Sequence, residues 1–249
     1  MKNCGHLISG NFIYDNGRKI NIVNPNIGKT IGYVSSASSK TIDKTICSSF
    51  EAFNEWKNFS IGKRASILFE YKLLLEQNID KIAKIIGDDL GKVKDDAIGE
   101  VRRGIENVEY ACGVGEILKG EFNKNISTFV DSWSEFEPLG VTLGITPFNF
   151  PVMVPLWMFP LAIAAGNTFI LKPSEKDPLA SMFIAELFNE TSAPKGVLNV
   201  LNGDKDVVDT LINDHRIKSV SFVGSTPVAK SIYKKSIRRF RKSSQIRTG

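Results

Sequence analysis

The rhythm of hydrophobic positions changes once along this chain, near residue 139. Between about Lys40 and Gly120 apolar residues return every three or four positions. Ile42, Ile46, Phe50, Phe53 and Trp56 form one stripe, and Leu68, Tyr71, Leu74 and Leu75 form another. That spacing puts each set on one face of a helix. Beyond residue 139, short apolar runs alternate with longer amphipathic stretches. The runs 140–146, 168–171, 197–201 and 218–223 predict strands, and 151–165, 178–190, 205–213 and 226–236 predict helices. Strands separated by helices need crossover connections, which build a parallel sheet with helices on both faces. Asp177 is the expected N-cap of helix 178–190, with Pro178 in its first turn and Leu179, Met182, Phe183 and Leu187 on its buried stripe.

The chain opens differently. Residues 7–34 read as short strands and turns, with a hairpin expected at Asp15-Asn16-Gly17 and another turn at Asn24-Pro25-Asn26 with Gly28. Residues 126–137 alternate loosely and predict an extended connection. The organisation is therefore 1–138, N-terminal strands and helices; 139–236, an α/β domain; and 237–249, a tail expected to be disordered because it follows neither period. No internal repeat is visible.

Composition narrows the class. Of 249 residues, 42% are hydrophobic and 24% charged, the balance of a soluble globular protein. The net charge is +5, yet seven cations and no acid lie from Lys234 onward, and the rest of the chain carries −2. The basic balance belongs to the tail, which argues against nucleic acid as a partner, since that needs basic residues spread over a folded face. No charged side chain lies between Glu137 and Lys172, a length that matches a membrane span. Pro138, Pro147, Pro151, Pro155 and Pro160 would break a lone helix there, so a buried strand, turn and helix is expected and no membrane span. Cys4, Cys47 and Cys112 are odd in number and far apart, which predicts neither a disulfide framework nor a metal site and fits a reducing compartment. The opening Met-Lys-Asn-Cys-Gly-His has neither an apolar signal core nor a transit-peptide pattern, so a cytoplasmic location is expected.

A parallel sheet binds ligands at the carboxyl ends of its strands. Here those ends are Thr146-Pro147-Phe148-Asn149, Lys172-Pro173-Ser174-Glu175-Lys176 and Gly224-Ser225-Thr226. The last can bring backbone N–H groups and a hydroxyl to a phosphate at a helix N-terminus. Lys172 and Glu175 suit the hydroxyls of an adenosine ribose. Plainer readings stand beside these: Ser225 as a helix cap, Lys172 as a solvated charge, Asn149 as a turn residue. With no GxGxxG, spacing alone gives a nucleotide-binding α/β domain as one reading among these.

Motifs in order add to this. Pro147-Phe148-Asn149-Phe150-Pro151, Pro155-Leu156-Trp157, Ala164-Ala165-Gly166-Asn167-Thr168, Leu171-Lys172-Pro173-Ser174-Glu175 and Ser221-Phe222-Val223-Gly224-Ser225-Thr226 resemble the aldehyde dehydrogenase superfamily. The Phe-Asn-Phe-Pro form, Val154–Pro160, the stretch Arg103–Gly113, and Ser9-Gly10-Asn11 followed by Asn24-Pro25 resemble its CoA-acylating methylmalonate-semialdehyde dehydrogenase branch. The resemblance runs from about His6 to Ser236 and covers the family's N-terminal half. It implies a Rossmann-type parallel sheet. It also implies NAD-dependent oxidation of methylmalonate or malonate semialdehyde to an acyl-CoA, in a homo-oligomer. By that resemblance Thr146, Pro147 and Phe148 line the NAD site. Lys172 and Glu175 hold the adenosine ribose with Lys176 beside them, where relatives more often carry Arg. Ser225 contacts the pyrophosphate, Val228 packs on adenine, and Asn149 is the oxyanion-hole asparagine. The implied chemistry is attack by a cysteine thiolate, hydride transfer to NAD, and release of the acyl group to CoA. No feature dedicated to CoA is visible.

The family's nucleophilic cysteine follows this half in a Gly-Gln-Arg-Cys-like setting, and the sequence has no such motif. Cys112 reads as a small buried hydrophobe. The catalytic domain is expected to be absent, and residues 238–249 to lie outside the resemblance through a shifted reading frame or truncation. Three expectations follow: a dehydrogenase active only with a second chain, an inactive remnant of a frameshifted gene, or a non-catalytic NAD-binding fragment or nucleic-acid-binding module. A sheet without its last strand is expected to expose an edge.

Overall fold

In the computed structural model of the protein, residues 2–244 are described, with the side chains of residues 3–237. Five short strands come first: β1 (Lys2–Cys4), β2 (His6–Ile8), β3 (Asn11–Ile13), β4 (Lys19–Asn24) and β5 (Lys29–Ser35). Helices α1 (Ser39–Trp56), α2 (Ile61–Gln77), α3 (Ile79–Leu90), α4 (Lys94–Cys112) and the one-turn α5 (Val114–Ile117) follow. A ribbon of β6 (Phe122–Ser127) and β7 (Val130–Trp133) leads into the alternating half. That half runs β8 (Val141–Ile145), α6 (Met153–Ala164), β9 (Thr168–Lys172), α7 (Leu179–Asn189), β10 (Leu198–Val200), α8 (Lys205–Asn213), β11 (Ile217–Phe222) and α9 (Thr226–Ser244). Each strand and helix expected after residue 139 is present, and all but the last helix lie within a few residues of their predicted bounds.

The main sheet has the order β11-β8-β9-β10-β2-β3. The first four strands are parallel, as βαβ crossovers require. The other two are antiparallel, so the sheet is mixed. The reason is in the residues: His6, Leu7 and Ile8 are all buried, and this apolar strand covers the β10 edge. Its hairpin turns at Ser9-Gly10, both at positive φ (50° and 76°). The hairpin expected at Asp15-Asn16-Gly17 is instead a bend that carries the chain into a second sheet, β1-β5-β4. The Asp15 carboxylate accepts from the Ser38 N–H at 2.7 Å and the Thr41 hydroxyl at 2.9 Å, so it fixes the start of α1. The turn expected near Gly28 does join β4 to β5. Residues 126–137 form part of the β6–β7 ribbon rather than a plain connection.

Strand alternation divides the interior. Phe169 and Leu171 of β9 face a core shared with α2, α3, α4, α6 and α7, and Ile170 faces the core of α1 and α8. In the larger core Tyr71, Phe159, Phe169 and Phe188 meet with ring centroids 5.3–6.1 Å apart. The Tyr71 hydroxyl donates to Ile184 O at 3.0 Å, which satisfies its one buried polar atom. No helix among the described residues is long and apolar enough to cross a membrane. The uncharged stretch is the buried strand, turn and helix β8–α6–β9.

The last helix departs from expectation. α9 continues to Ser244 instead of ending at 236. No Gly or Pro interrupts residues 228–244, and Lys and Arg are good helix formers. The expected disordered tail therefore begins in helix, and residues 245–249 lie outside the described residues.

Gly166, at φ +90°, ends α6, and a Cβ there would strike Arg64 Nη1, whose guanidinium is buried beside it. Gly166→Ala is expected to lower stability by about 1–3 kcal/mol through left-handed strain and that collision. Urea unfolding of the two chains measures it.

Candidate cofactor-binding site

β8 lies between β9 and β11, so the three strand ends singled out by sequence open on one edge of the sheet. Thr146 leaves β8 buried; its N–H donates to Lys172 O at 3.2 Å, which locks the two loops at their roots. The Thr146 hydroxyl is buried without a hydrogen-bond partner among the described residues. Pro147 is half-buried, and Phe148 and Asn149 are exposed. The Asn149 side-chain amide makes no hydrogen bond among the described residues, so it is free to donate.

Lys172 is not a solvated charge. It is 5% exposed and its Nζ donates to Glu175 Oε2 at 3.0 Å. Burial acts to raise the Glu175 carboxyl, but the Lys172 ammonium, the Glu175 backbone and Lys176 outweigh it and hold it below the usual carboxylate range. Lys176 Nζ stands 4.9 Å from the Phe148 ring centroid and so bridges the β8 and β9 loops. Thr146, Pro147, Phe148, Asn149, Lys172, Glu175 and Lys176 thus belong to adjacent strand ends. Ser225 and Val228 stand on the other side of β8, where β11 passes into α9, and both are exposed. The Ser225 hydroxyl makes no capping hydrogen bond among the described residues, so the plain reading of Ser225 as a cap is not realised.

Of four residues that matter here, three escaped the sequence reading and one, Asp177, was expected in another role. Glu100 of α4 is fully buried; Oε1 accepts from the N–H groups of Val152 (3.0 Å) and Met153 (3.2 Å), and Oε2 meets Lys92 Nζ at 2.5 Å. Lys92 Nζ also donates to Asn149 O at 3.0 Å and faces the Phe150 ring at 4.2 Å. The available signal was an acid on the apolar stripe Ala97, Val101, Gly104, Val108. The other two are Asp89 and Asp177. Asp177 does not cap α7. The Leu179 N–H donates to Asp89 Oδ2 at 2.9 Å, from the end of α3. The Asp177 carboxyl is buried instead, and burial first, then the Asp89 charge, pushes it up to about 9.

The cysteines lie elsewhere. Burial pushes the Cys4 thiol up to about 12 and the Cys112 thiol up to about 11. Cys47, in the middle of α1, accepts from Arg216 Nη1 at 3.2 Å. All three are free thiols and none stands at a strand end of the site. Among the described residues no cluster of three or more His, Cys, Asp or Glu is arranged to hold a metal ion.

Comparison with known proteins gives a consistent result. Residues 12–248 match the model of the aldehyde dehydrogenase family. The match runs past Ser236, where the motif resemblance was expected to stop. The chain is 54% identical over 239 residues to malonate-semialdehyde dehydrogenase of Pseudomonas aeruginosa, covering 96% of this chain and 48% of that protein. It is 45% identical over 234 residues to malonate-semialdehyde dehydrogenase 2 of Geobacillus thermodenitrificans, covering 94% and 48%. Among solved structures, methylmalonate-semialdehyde dehydrogenase from Oceanimonas doudoroffii superimposes with a TM-score of 0.94 at 52% identity, over 96% of this chain and 49% of the other. A putative methylmalonate-semialdehyde dehydrogenase from Sinorhizobium meliloti 1021, complexed with NAD, gives 0.94 at 40% identity over 96% and 49%. The chain spans about half the length of the curated relatives it matches.

The Asp177 carboxyl generates a pH prediction. Its folded pKa of about 9 lies above the ordinary 3.8, so the folded chain keeps a proton that the unfolded chain releases. The unfolded state binds fewer protons across that window, and this group's contribution makes stability fall as pH rises from about 4 to about 9. Asp177→Asn carries no such proton. Its urea midpoint, measured against that of the parent chain, is expected to rise steadily from pH 5 to pH 9; a constant difference would refute the assignment.

Proposed function

The chain belongs to the aldehyde dehydrogenase family, and from that premise we propose that it is the NAD-binding, N-terminal half of a semialdehyde dehydrogenase. The substrate class is malonate or methylmalonate semialdehyde, and CoA is the acyl acceptor. One observation carries the reading: a buried, ion-paired Lys172–Glu175 at one strand end beside a free Asn149 amide at the next. The residues present fit NAD, because a buried hydroxyl, a buried ammonium and an ionised carboxylate converge where a nucleotide's polar groups would need partners. NAD, when bound, supplies the hydride acceptor.

The remaining steps belong to the chain. Glu175, ionised and held by Lys172, accepts from ribose hydroxyls, while Lys172 donates to them. Ser225 and the N–H groups opening α9 take the pyrophosphate, and Val228 offers an apolar side to adenine. Thr146, Pro147 and Phe148 wall the reacting end. Asn149 donates its amide N–H to oxygen as negative charge develops on the aldehyde. The attacking thiol comes from polypeptide beyond these 249 residues, since Cys4 and Cys112 are buried with raised pKa values and Cys47 is held against Arg216. The same state of the cysteines favours a second reading for these residues alone, a non-catalytic NAD-binding protein. Three free thiols fit the reducing cytoplasm.

A homo-oligomer is part of the proposal. The β6–β7 ribbon exposes Phe122, Ile126, Val130 and Trp133, with Phe129 at its tip 97% exposed. An apolar surface of this kind marks a contact site, and a second copy of the chain is the occupant proposed.

Isothermal titration is expected to show NAD binding, and Glu175→Ala to weaken it about tenfold, or about 1.4 kcal/mol. Absence of binding by the parent chain overturns the reading. In sedimentation velocity the parent chain is expected as a dimer or larger, and Phe129→Ser with Trp133→Ser as a smaller species.

A further inference from the structure

We propose that Lys92 and Glu100 form a positioning strut that sets the direction in which the Asn149 amide is presented. The inference rests on the reading of Asn149 as the donor to developing negative charge, and it names how that donor is aimed. Asn149 is exposed and its amide makes no hydrogen bond among the described residues, so no hydrogen bond of its own side chain orients it. Its direction depends on the backbone of the segment joining β8 to α6. That backbone is tied at Asn149 by Lys92 Nζ, which donates to the Asn149 carbonyl at 3.0 Å.

The three donors of the ammonium are all engaged. One meets Asn149 O, one meets Glu100 Oε2 at 2.5 Å, and the remaining face of the charge stands 4.2 Å from the centre of the Phe150 ring. Glu100 carries the tie onward. Its other oxygen accepts from the N–H groups of Val152 and Met153, and Val152 has no cap of its own. One carboxylate therefore holds both ends of the Asn149–Val152 turn, directly at α6 and through Lys92 at Asn149. The carboxylate is rigid in its turn. It is fully buried, and α4 presses against α6 so closely that a Cβ at Gly104 would overlap Leu156.

A helix cap alone does not account for this. Glu100 needs only one oxygen to cap α6, and the positive end of that helix already favours its charge. The second oxygen and the Lys92 ammonium reach past the helix to the residue that carries the free amide. Lys92 and Glu100 touch neither ligand nor reacting atoms in this scheme; they act through the Asn149 backbone.

The test is nuclear magnetic relaxation on the whole chain without NAD, read at the Asn149 backbone and side-chain amides. In the parent chain the Asn149 and Phe150 backbone order parameters are expected in the rigid range, about 0.85, and in Lys92→Met below about 0.6. Lys92→Arg is expected to restore rigidity. Glu100→Gln keeps an oxygen for the α6 cap but loses the charge that holds Lys92, and it is expected to loosen the same amides while the α6 amides stay rigid. Rigid Asn149 and Phe150 amides in Lys92→Met overturn the proposal, whatever its melting temperature. If Lys92→Met does not fold, rigid amides in Glu100→Gln do so equally. Failure of the parent chain to bind NAD overturns the proposed function and leaves the relaxation result to decide the strut.

Discussion

Helix α6 is apolar on nearly every side, and the rest of the structure is arranged around the need to enclose it. Of its twelve residues Trp157 is the exposed exception. A helix with no polar face has no water to satisfy its ends, so partners from elsewhere must do it. At the N-terminus Glu100 accepts from Val152 and Met153. At the C-terminus Trp56 Nε1 donates to Ile163 O at 3.0 Å, and Gly166 turns the chain beneath Arg64. The sheet covers one side, and α2 and α4 cover the other. The two helical hairpins of the first half thus serve as the lid and the end-pieces of one helix in the second. Because α6 starts directly after the Asn149 loop, enclosing it also builds the site.

The alternating half was legible in the sequence because each of its strands is a short apolar run with breakers on either side. Position at the strand ends was enough to pick out Thr146, Lys172, Glu175 and Ser225. Reading failed where a residue's partner is remote. Asp15-Asn16-Gly17 has the composition of a tight hairpin, but the Asp15 carboxylate is taken by Ser38 and Thr41, and the real hairpin turns at Ser9-Gly10. Asp177 stands where an N-cap should, yet Asp89, 90 residues before Leu179, supplies the oxygen. Lys92 and Asn149 are 57 residues apart, and Glu100 and Val152 are 52 apart. No local spacing rule reaches that far. The only local trace is an acid on an otherwise apolar stripe, a pattern that signals a buried partner without saying which.

Electrostatics divides the molecule's nucleophiles from its donors. The thiols of Cys4 and Cys112 are pushed toward the protonated form by burial, the direction opposite to that needed for attack. On the cofactor side the trend reverses: Glu175 is held ionised by Lys172, and the Asn149 amide is left unspent. In the proposed function the described residues therefore carry the recognition and charge-stabilising parts of the chemistry, while burial keeps the Cys4 and Cys112 sulfurs protonated.

Two helices open at the crevice, and they are not equivalent. The N–H groups at the start of α6 are already committed to Glu100, while those at the start of α9 have no side-chain cap among the described residues. Under the proposed function, phosphate oxygens thus find donors near β11 and none to match them at the head of α6. In the proposed function, where a phosphate settles is thereby decided by which helix end the protein fills with its own acid.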